Sequence, residues 1–164
     1  MKRTSIDTDF FSTFQDEPSL SNVVPICLPW KQSDPGFEPT PDSFATVAGW
    51  GRVTNDEDAA LESYVNLGTA VARLQELPVP ILNATACRET YPRFSERNQL
   101  CSGGKVGEDS CSGDSGGPLF VRGRSNWFQT GIVSYGTKEC GIGKPGIYTK
   151  VSRYLDWVAD NLQE

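Results

Sequence analysis

Histidine is absent from all 164 residues of the sequence, and this absence has the largest consequence. A serine or cysteine nucleophile that relies on an imidazole base has none within this chain. Zinc sites with histidine ligands are excluded as well, and the five cysteines lack the close paired spacing of a cysteine-only zinc site. We therefore expect no structural metal and no cofactor.

Long apolar runs and concentrated positive charge are also missing. No segment approaches the length needed to span a bilayer, and the net charge of −6 argues against nucleic acid as a partner. Residues 1–7 include two basic residues with no apolar stretch behind them, so no signal peptide is predicted. Sixteen glycines and eleven prolines favour many turns and short strands over long helices.

The segment from Asp109 to Leu119 places a serine between glycines, with one acid directly before it and another six residues upstream. Glycines such as Gly113 adopt backbone conformations that are closed to other residues. A turn of this kind can point successive N–H groups into one concavity, which stabilises the oxyanion formed in acyl transfer. Ser115 is then a candidate nucleophile. The alternative is an ordinary loop of glycine, serine and aspartate.

The run Gly-Asp-Ser-Gly-Gly-Pro at 113–118 resembles the active-site segment of the chymotrypsin/trypsin-like serine endopeptidases. Within that family, the stretch 134–141 is most similar to arthropod clip-domain proteases, which act in proteolytic cascades. The resemblance implies an all-β fold, a trypsin-like antiparallel β-barrel (the second of the family's two) with a C-terminal α-helix. Residues 1–43 are then a remnant of the first barrel and the inter-barrel linker, and residues 44–164 form the second barrel and the helix.

The resemblance also implies a role for each site residue. Ser115 attacks the scissile carbonyl, and the N–H groups of Gly113 and Ser115 bind the oxyanion. Asp114 pairs with the N-terminal ammonium that zymogen cleavage releases. Asp109 lies at the base of the specificity pocket, where a carboxylate selects Arg or Lys before the scissile bond. The other substrate-binding positions are Ser134, Gly136 and Gly146.

The cysteines take their expected partners from the same resemblance. It implies the disulfides Cys87–Cys101 and Cys111–Cys140. Cys27 is left to bond with a cysteine in a segment upstream of this sequence. An odd count of five cysteines agrees with one such external bond.

Three other segments carry separate predictions. Asn83 begins an Asn-Ala-Thr sequon, a candidate glycosylation site in a secreted protein. Residues 52–72 form a longer connection than the family usually has, which leaves open a surface-loop insertion or a retained piece of intron. Apolar residues recur at helical spacing after residue 150, and Ser152 is the expected N-cap of that helix.

Together these features predict a secreted trypsin-like endopeptidase that hydrolyses protein or peptide substrates after Arg or Lys. The triad histidine and aspartate of the family lie in its first barrel. Asp7 stands near the position of that aspartate, but its neighbours do not match, so it is left unassigned. We expect the chain to be N-terminally incomplete and inactive alone. The alternative is a non-catalytic homologue that acts as a binding or decoy module, and the presence of both Ser115 and Asp109 favours the enzyme.

Overall fold

The computed structural model describes residues 24–30, 38–52 and 74–162. Asp7, most of the 1–43 segment and residues 53–72 of the long connection lie outside the described residues. The described elements are β1 (Phe44–Gly49), β2 (Gln75–Leu82), α1 (Ala84–Thr90), β3 (Gln99–Gly103), β4 (Pro118–Arg122), β5 (Trp127–Tyr135), β6 (Pro145–Lys150) and α2 (Leu155–Asn161).

All six strands pair in antiparallel fashion and close into one barrel in the order β1-β2-β3-β6-β5-β4. This confirms the predicted all-β barrel and its C-terminal helix. No helix among the described residues is both long enough and apolar enough to cross a membrane.

The barrel interior is filled by alternate residues of the strands. In β1, Ala45 and Val47 are buried while their neighbours are less so, because successive side chains of a strand point to opposite faces. Leu119 of β4 is fully buried and lies at the centre of this core. The core residues with it are Ala45, Val47, Val79, Ile81, Leu100, Val121, Phe128, Val133 and Tyr148.

Two prolines occur inside β2, an element that proline usually interrupts. Pro78 and Pro80 pair in register with β1, but the ladder to β3 begins only at Ile81. Ile81 donates its N–H to Ser43 on the β1 side, at 2.8 Å. Backbone groups of successive strand residues point to opposite sides, so the nitrogens of Pro78 and Pro80 point away from β1 and toward β3. No ladder donor is needed there.

Both expected disulfides are present: one links a helix to a barrel strand, and the other joins two loops. Cys87 of α1 bonds to Cys101 of β3, and Cys111 bonds to Cys140. Cys87 is fully buried and packs with Phe94 and Ile147 in a second, smaller apolar cluster. The helix α1 is therefore held to the barrel by a covalent bond and by packing.

Replacing Cys87 and Cys101 together with alanine is expected to lower the free energy of unfolding by about 3 kcal/mol. The disulfide closes a short loop and so restricts the unfolded chain; without it, the unfolded chain gains conformational entropy. Urea unfolding of the double variant and the parent, both without reducing agent, measures the difference. An unchanged urea midpoint would contradict the expectation.

The predicted N-cap of the C-terminal helix is wrong. Ser152 lies inside a 3-10 turn, Val151–Arg153, and α2 begins only at Leu155, with Tyr154 as its N-cap residue. Among the described residues, the Ser152 hydroxyl is buried without a hydrogen-bond partner. The tight first turn shifts the helix start by two residues, a detail that apolar spacing does not contain.

Cys27 lies beside the barrel. Its N–H donates to the Trp127 carbonyl at 3.0 Å, and its carbonyl accepts from Gln129 at 2.9 Å. The side chain is half-buried against the core, and among the described residues it is the cysteine without a disulfide partner.

Candidate active site

The segment 111–117 forms two consecutive turns just before β4. The Asp114 N–H donates to the Cys111 carbonyl at 3.0 Å, and the Gly117 N–H donates to the Asp114 carbonyl at 2.8 Å. Gly113 and Gly116 have φ of +98° and +83°, values that residues with a side chain rarely adopt. The glycines of the motif are thus required by the path of the backbone.

Ser115 lies at the exposed tip of the second turn. Directly after it, the Gly116 N–H donates to the Val133 carbonyl, and the Val133 N–H donates to the Gly117 carbonyl, each at 2.9 Å. The serine is therefore accessible to solvent while the backbone beside it is fixed to β5.

The backbone N–H groups of Gly113 and Ser115 belong to the same pair of turns as the exposed hydroxyl. In the described part of the chain neither N–H has a protein acceptor. The Ser112 carbonyl accepts from the Arg52 N–H at 2.9 Å. In a trans peptide the following N–H points the opposite way, so the Gly113 N–H is directed away from Arg52. This arrangement leaves both donors available to an anion.

Asp114 points inward from the same turn. Its Oδ1 accepts from the Gly51 N–H at 2.8 Å, and its Oδ2 accepts from the Cys111 N–H at 2.9 Å. No lysine or arginine among the described residues forms an ion pair with it. Backbone amides therefore bind this carboxylate in the structure.

Asp109 lines a cavity between β1, the start of β2 and the 109–114 segment, together with Ser110 and Asp114. Burial raises the pKa of the Asp109 carboxyl above its ordinary value, and the negative charge of Asp114 adds to the rise. The N–H groups of Gly141 and Ser110 oppose it, and the Gly141 bond to Oδ2 measures 3.3 Å. A partly buried carboxylate that has no basic partner within the described ranges is well suited to bind a cation.

The structure brings Gly146 next to Asp109. A Cβ built on Gly146 would lie 3.4 Å from Oδ1 of Asp109, so a side chain there would fill the space in front of the carboxylate. Gly136 is exposed, and a Cβ on it would meet no atom within 4 Å. Ser134 is also exposed, at the point where β5 shifts its register against β6.

Three features of the site were not predicted from the sequence. Tyr148 is buried, and its hydroxyl lies 3.2 Å from the Ser110 hydroxyl, behind Asp109. Burial raises the pKa of Tyr148 to about 12. The other two features are the contacts of Gly49 and Gly51 with Asp114. The Gly-Trp-Gly run at 49–51 was the available signal, but it reads equally well as the end of a strand.

The chain is similar in sequence to known proteins over most of its length. The family model described as Trypsin matches residues 4–158. The chain is 40% identical over 143 residues to the CLIP domain-containing serine protease B15 of Anopheles gambiae, covering 83% of this chain and 35% of that protein. It is 37% identical over 150 residues to the Spaetzle-processing enzyme of Drosophila melanogaster, covering 86% of this chain and 34% of the relative.

A third relative is phenoloxidase-activating factor 1 of Holotrichia diomphalia, which is 38% identical over 146 residues, covering 86% of this chain and 35% of its own length. The chain thus spans about a third of the length of the curated relatives it matches. The family match extends over nearly the whole sequence, and the closed barrel and both disulfides accompany it. The chain belongs to the trypsin family of serine proteases.

Proposed function

We propose that this chain provides the nucleophile, the oxyanion donors and the specificity pocket of a secreted endopeptidase that cleaves after Arg or Lys. The observation that carries the proposal is the pairing of an exposed Ser115 with a partly buried Asp109, six residues earlier, beside Gly146. A carboxylate in such a cavity attracts a guanidinium or ammonium group. A substrate side chain bound there places the next peptide bond near the serine.

The chemistry follows from the arrangement of the turn. The Ser115 hydroxyl attacks the carbonyl carbon, a base takes its proton, and the carbonyl oxygen gains the negative charge. The free N–H groups of Gly113 and Ser115 bind that oxyanion, and each donor of this kind typically contributes ~2.7–4 kcal/mol. As the intermediate collapses, the C–N bond breaks and the base gives its proton to the leaving nitrogen, so that an amine departs and an acyl-serine remains, which water then hydrolyses.

The general base comes from outside these 164 residues, because the sequence contains no histidine. We assign residues 1–43 to a remnant of the first barrel and the inter-barrel linker, and residues 44–164 to the second barrel and the C-terminal helix. Cys27 forms the covalent link to the remaining part of the protein. Its half-buried sulfur is unpaired in the described residues, whereas the other four cysteines are bonded to one another. The isolated chain is then inactive.

The substrate class is proposed to be protein. One relative is named for processing and another for activating phenoloxidase, and we extend action on a protein to this chain.

A peptide map of the natural protein, prepared without reducing agent after treatment with a fluorophosphonate, tests the proposal. We expect the Cys27 peptide to be disulfide-bonded to a peptide from outside residues 1–164, and Ser115 to carry the phosphonate. The 164-residue chain alone is expected to remain unlabelled. A free Cys27 together with an unlabelled Ser115 in the natural protein would instead support the non-catalytic binding module.

We also propose that Asn83 carries an N-linked glycan. Asn83 and Thr85 are both exposed. The Asn83 Oδ1 accepts the Ala86 N–H at 3.2 Å as the cap of α1, while Nδ2, the atom that bears the glycan, has no partner among the described residues. Capping and glycosylation are therefore compatible.

The chain expressed behind a secretion signal in insect cells is expected to release a glycan from Asn83 on treatment with peptide-N-glycosidase. The Thr85→Ala variant is expected to lack the glycan while the cap is retained. Mass spectrometry of the peptide around residue 83 distinguishes the two forms, and an unmodified Asn83 in the secreted parent chain would refute this assignment.

A further inference from the structure

Gly49 and Gly51 lie against the Asp114 carboxylate, although 63 residues separate Gly51 from Asp114 in the sequence. A Cβ on Gly49 would lie 2.1 Å from Oδ1 of Asp114. A Cβ on Gly51 would lie 2.5–2.6 Å from all three carboxylate atoms. Both distances are far below van der Waals contact, so neither position has room for a side chain while Asp114 keeps its place.

Backbone conformation does not explain these two glycines. Neither Gly49 nor Gly51 is among the described residues with positive φ, in contrast to Gly113 and Gly116. A left-handed backbone, the usual reason for a glycine in a turn, is therefore not the reason at these two positions. The requirement for glycine therefore arises from the Asp114 carboxylate itself.

Three contacts connect the segment 49–52 to the turn 111–115. The Gly51 N–H donates to Asp114 Oδ1 at 2.8 Å, and the Arg52 N–H donates to the Ser112 carbonyl at 2.9 Å. A Cβ on Gly113 would lie 3.1 Å from Cα of Gly51, which shows how closely the two backbones approach. The second of these contacts sets the plane of the peptide that carries the Gly113 N–H.

The carboxylate joins the two segments through charge-assisted hydrogen bonds, which are stronger than bonds between neutral groups. Oδ1 binds the Gly51 N–H, and Oδ2 binds the Cys111 N–H at 2.9 Å. A methyl group on Gly51 would displace the carboxylate from both donors. The turn would then lose its carboxylate bond to the segment that follows β1, and its N–H groups would change direction.

We propose that Gly49 and Gly51 are positioning residues of the serine site. They admit the Asp114 carboxylate and thereby hold the 111–115 turn in the conformation that exposes the N–H groups of Gly113 and Ser115. The inference deepens the proposed function, on which its catalytic meaning rests. Its test concerns the conformation of the turn and uses no proteolytic activity, so it stands or falls separately from the endopeptidase proposal.

The first experiment compares Gly51→Ala with the parent 164-residue chain. We expect the unfolding temperature to fall by about 3–10 °C, the shift that corresponds to forcing a methyl group into a packed site. The amide NMR resonances of Gly113 and Ser115 are expected to move or broaden. Gly136→Ala is the matched control, because a Cβ there meets no atom within 4 Å and φ is not positive. Its unfolding temperature is expected to stay within about 2 °C of the parent.

Removal of the carboxylate tests whether Gly51→Ala acts through Asp114 or destabilises the chain in some other way. In an Asp114→Ala background, Gly51→Ala is expected to cause no further fall in the unfolding temperature, since nothing remains for the methyl group to displace. An equal fall in both backgrounds, or unchanged Gly113 and Ser115 resonances in Gly51→Ala, would overturn the proposal. If Gly51→Ala does not fold, a folded double variant supports it, and an unfolded double variant beside a folded Asp114→Ala overturns it.

Discussion

Replacing Asp109 with asparagine is expected to weaken the binding of benzamidine, a rigid amidinium, by roughly 30-fold or more. The amidinium presents two N–H donors to the two carboxylate oxygens, so the bond is bidentate and charge-assisted. Asparagine keeps the shape of the side chain but removes its charge. Isothermal titration calorimetry on the 164-residue chain measures the change, because binding in the pocket requires no general base.

A matched control separates the pocket from the overall charge. Asp160→Asn removes the same unit of charge from an exposed position in α2 and is expected to leave benzamidine affinity unchanged. Equal losses in the two variants would show that binding follows net charge. No loss in Asp109→Asn would remove Asp109 from the specificity pocket.

The pH dependence of this binding follows from the raised pKa of Asp109. The amidinium binds the carboxylate form, so affinity is expected to fall as pH decreases through the raised pKa, which lies above the ordinary value of 3.8. The stability of the free chain changes in the opposite sense. Protonation of Asp109 favours the folded state, and this contribution is complete below the ordinary pKa and lost as pH rises through the raised one. Titrations across the acidic range, with Asp109→Asn as reference, measure both effects.

Replacing Leu119 with alanine is expected to lower the free energy of unfolding by about 2–5 kcal/mol, the range for a fully buried leucine. Leu119 has no exposed surface and lies opposite Gly131 across β4 and β5. A Cβ on Gly131 would lie 3.0 Å from Cδ2 of Leu119 and 3.1 Å from its Cβ. The leucine thus occupies space that any larger residue at position 131 would take.

The effects of substitutions at Leu119 and Gly131 on the free energy of unfolding are expected to be coupled, and urea unfolding can measure this coupling. Gly131→Ala in the parent is expected to cost about 1–3 kcal/mol through overpacking. In the Leu119→Ala background this cost is expected to shrink by at least about 0.5 kcal/mol, since Cδ2 is gone. Leu162→Ala, at a half-exposed position, serves as the control and is expected to change stability by less than about 0.5 kcal/mol. Strict additivity of the Leu119 and Gly131 effects would contradict the packing described here.

Features of the site and the fold were predictable from the sequence where neighbouring residues alone determine them. The glycines at 113 and 116 need positive φ because of the turn they occupy, and that requirement is visible in the motif itself. The sixteen glycines and eleven prolines favoured many turns and short strands, and the structure contains six strands among the described residues. Both disulfides followed from the family resemblance, and the structure contains them.

Other features depend on which strands the closed barrel brings together. Gly51 and Asp114 meet only because β1 pairs with β4, and Gly131 lies under Leu119 only because β4 pairs with β5. Ser152 was a wrong N-cap because the tight turn after β6 sets where α2 begins.

By itself, the sequence determined the glycine-rich turn around the serine, the preference for short strands and turns, and the absence of an internal histidine base, since each is a property of residue type and short-range spacing. The tertiary structure decided which groups surround the two aspartates: backbone amides bind Asp114, and Asp109 lies beside Gly146 and accepts the Gly141 N–H. The physical reason is that local spacing along a strand tells only which face of the sheet a side chain occupies. Contacts between distant residues depend on the register and closure of the whole barrel.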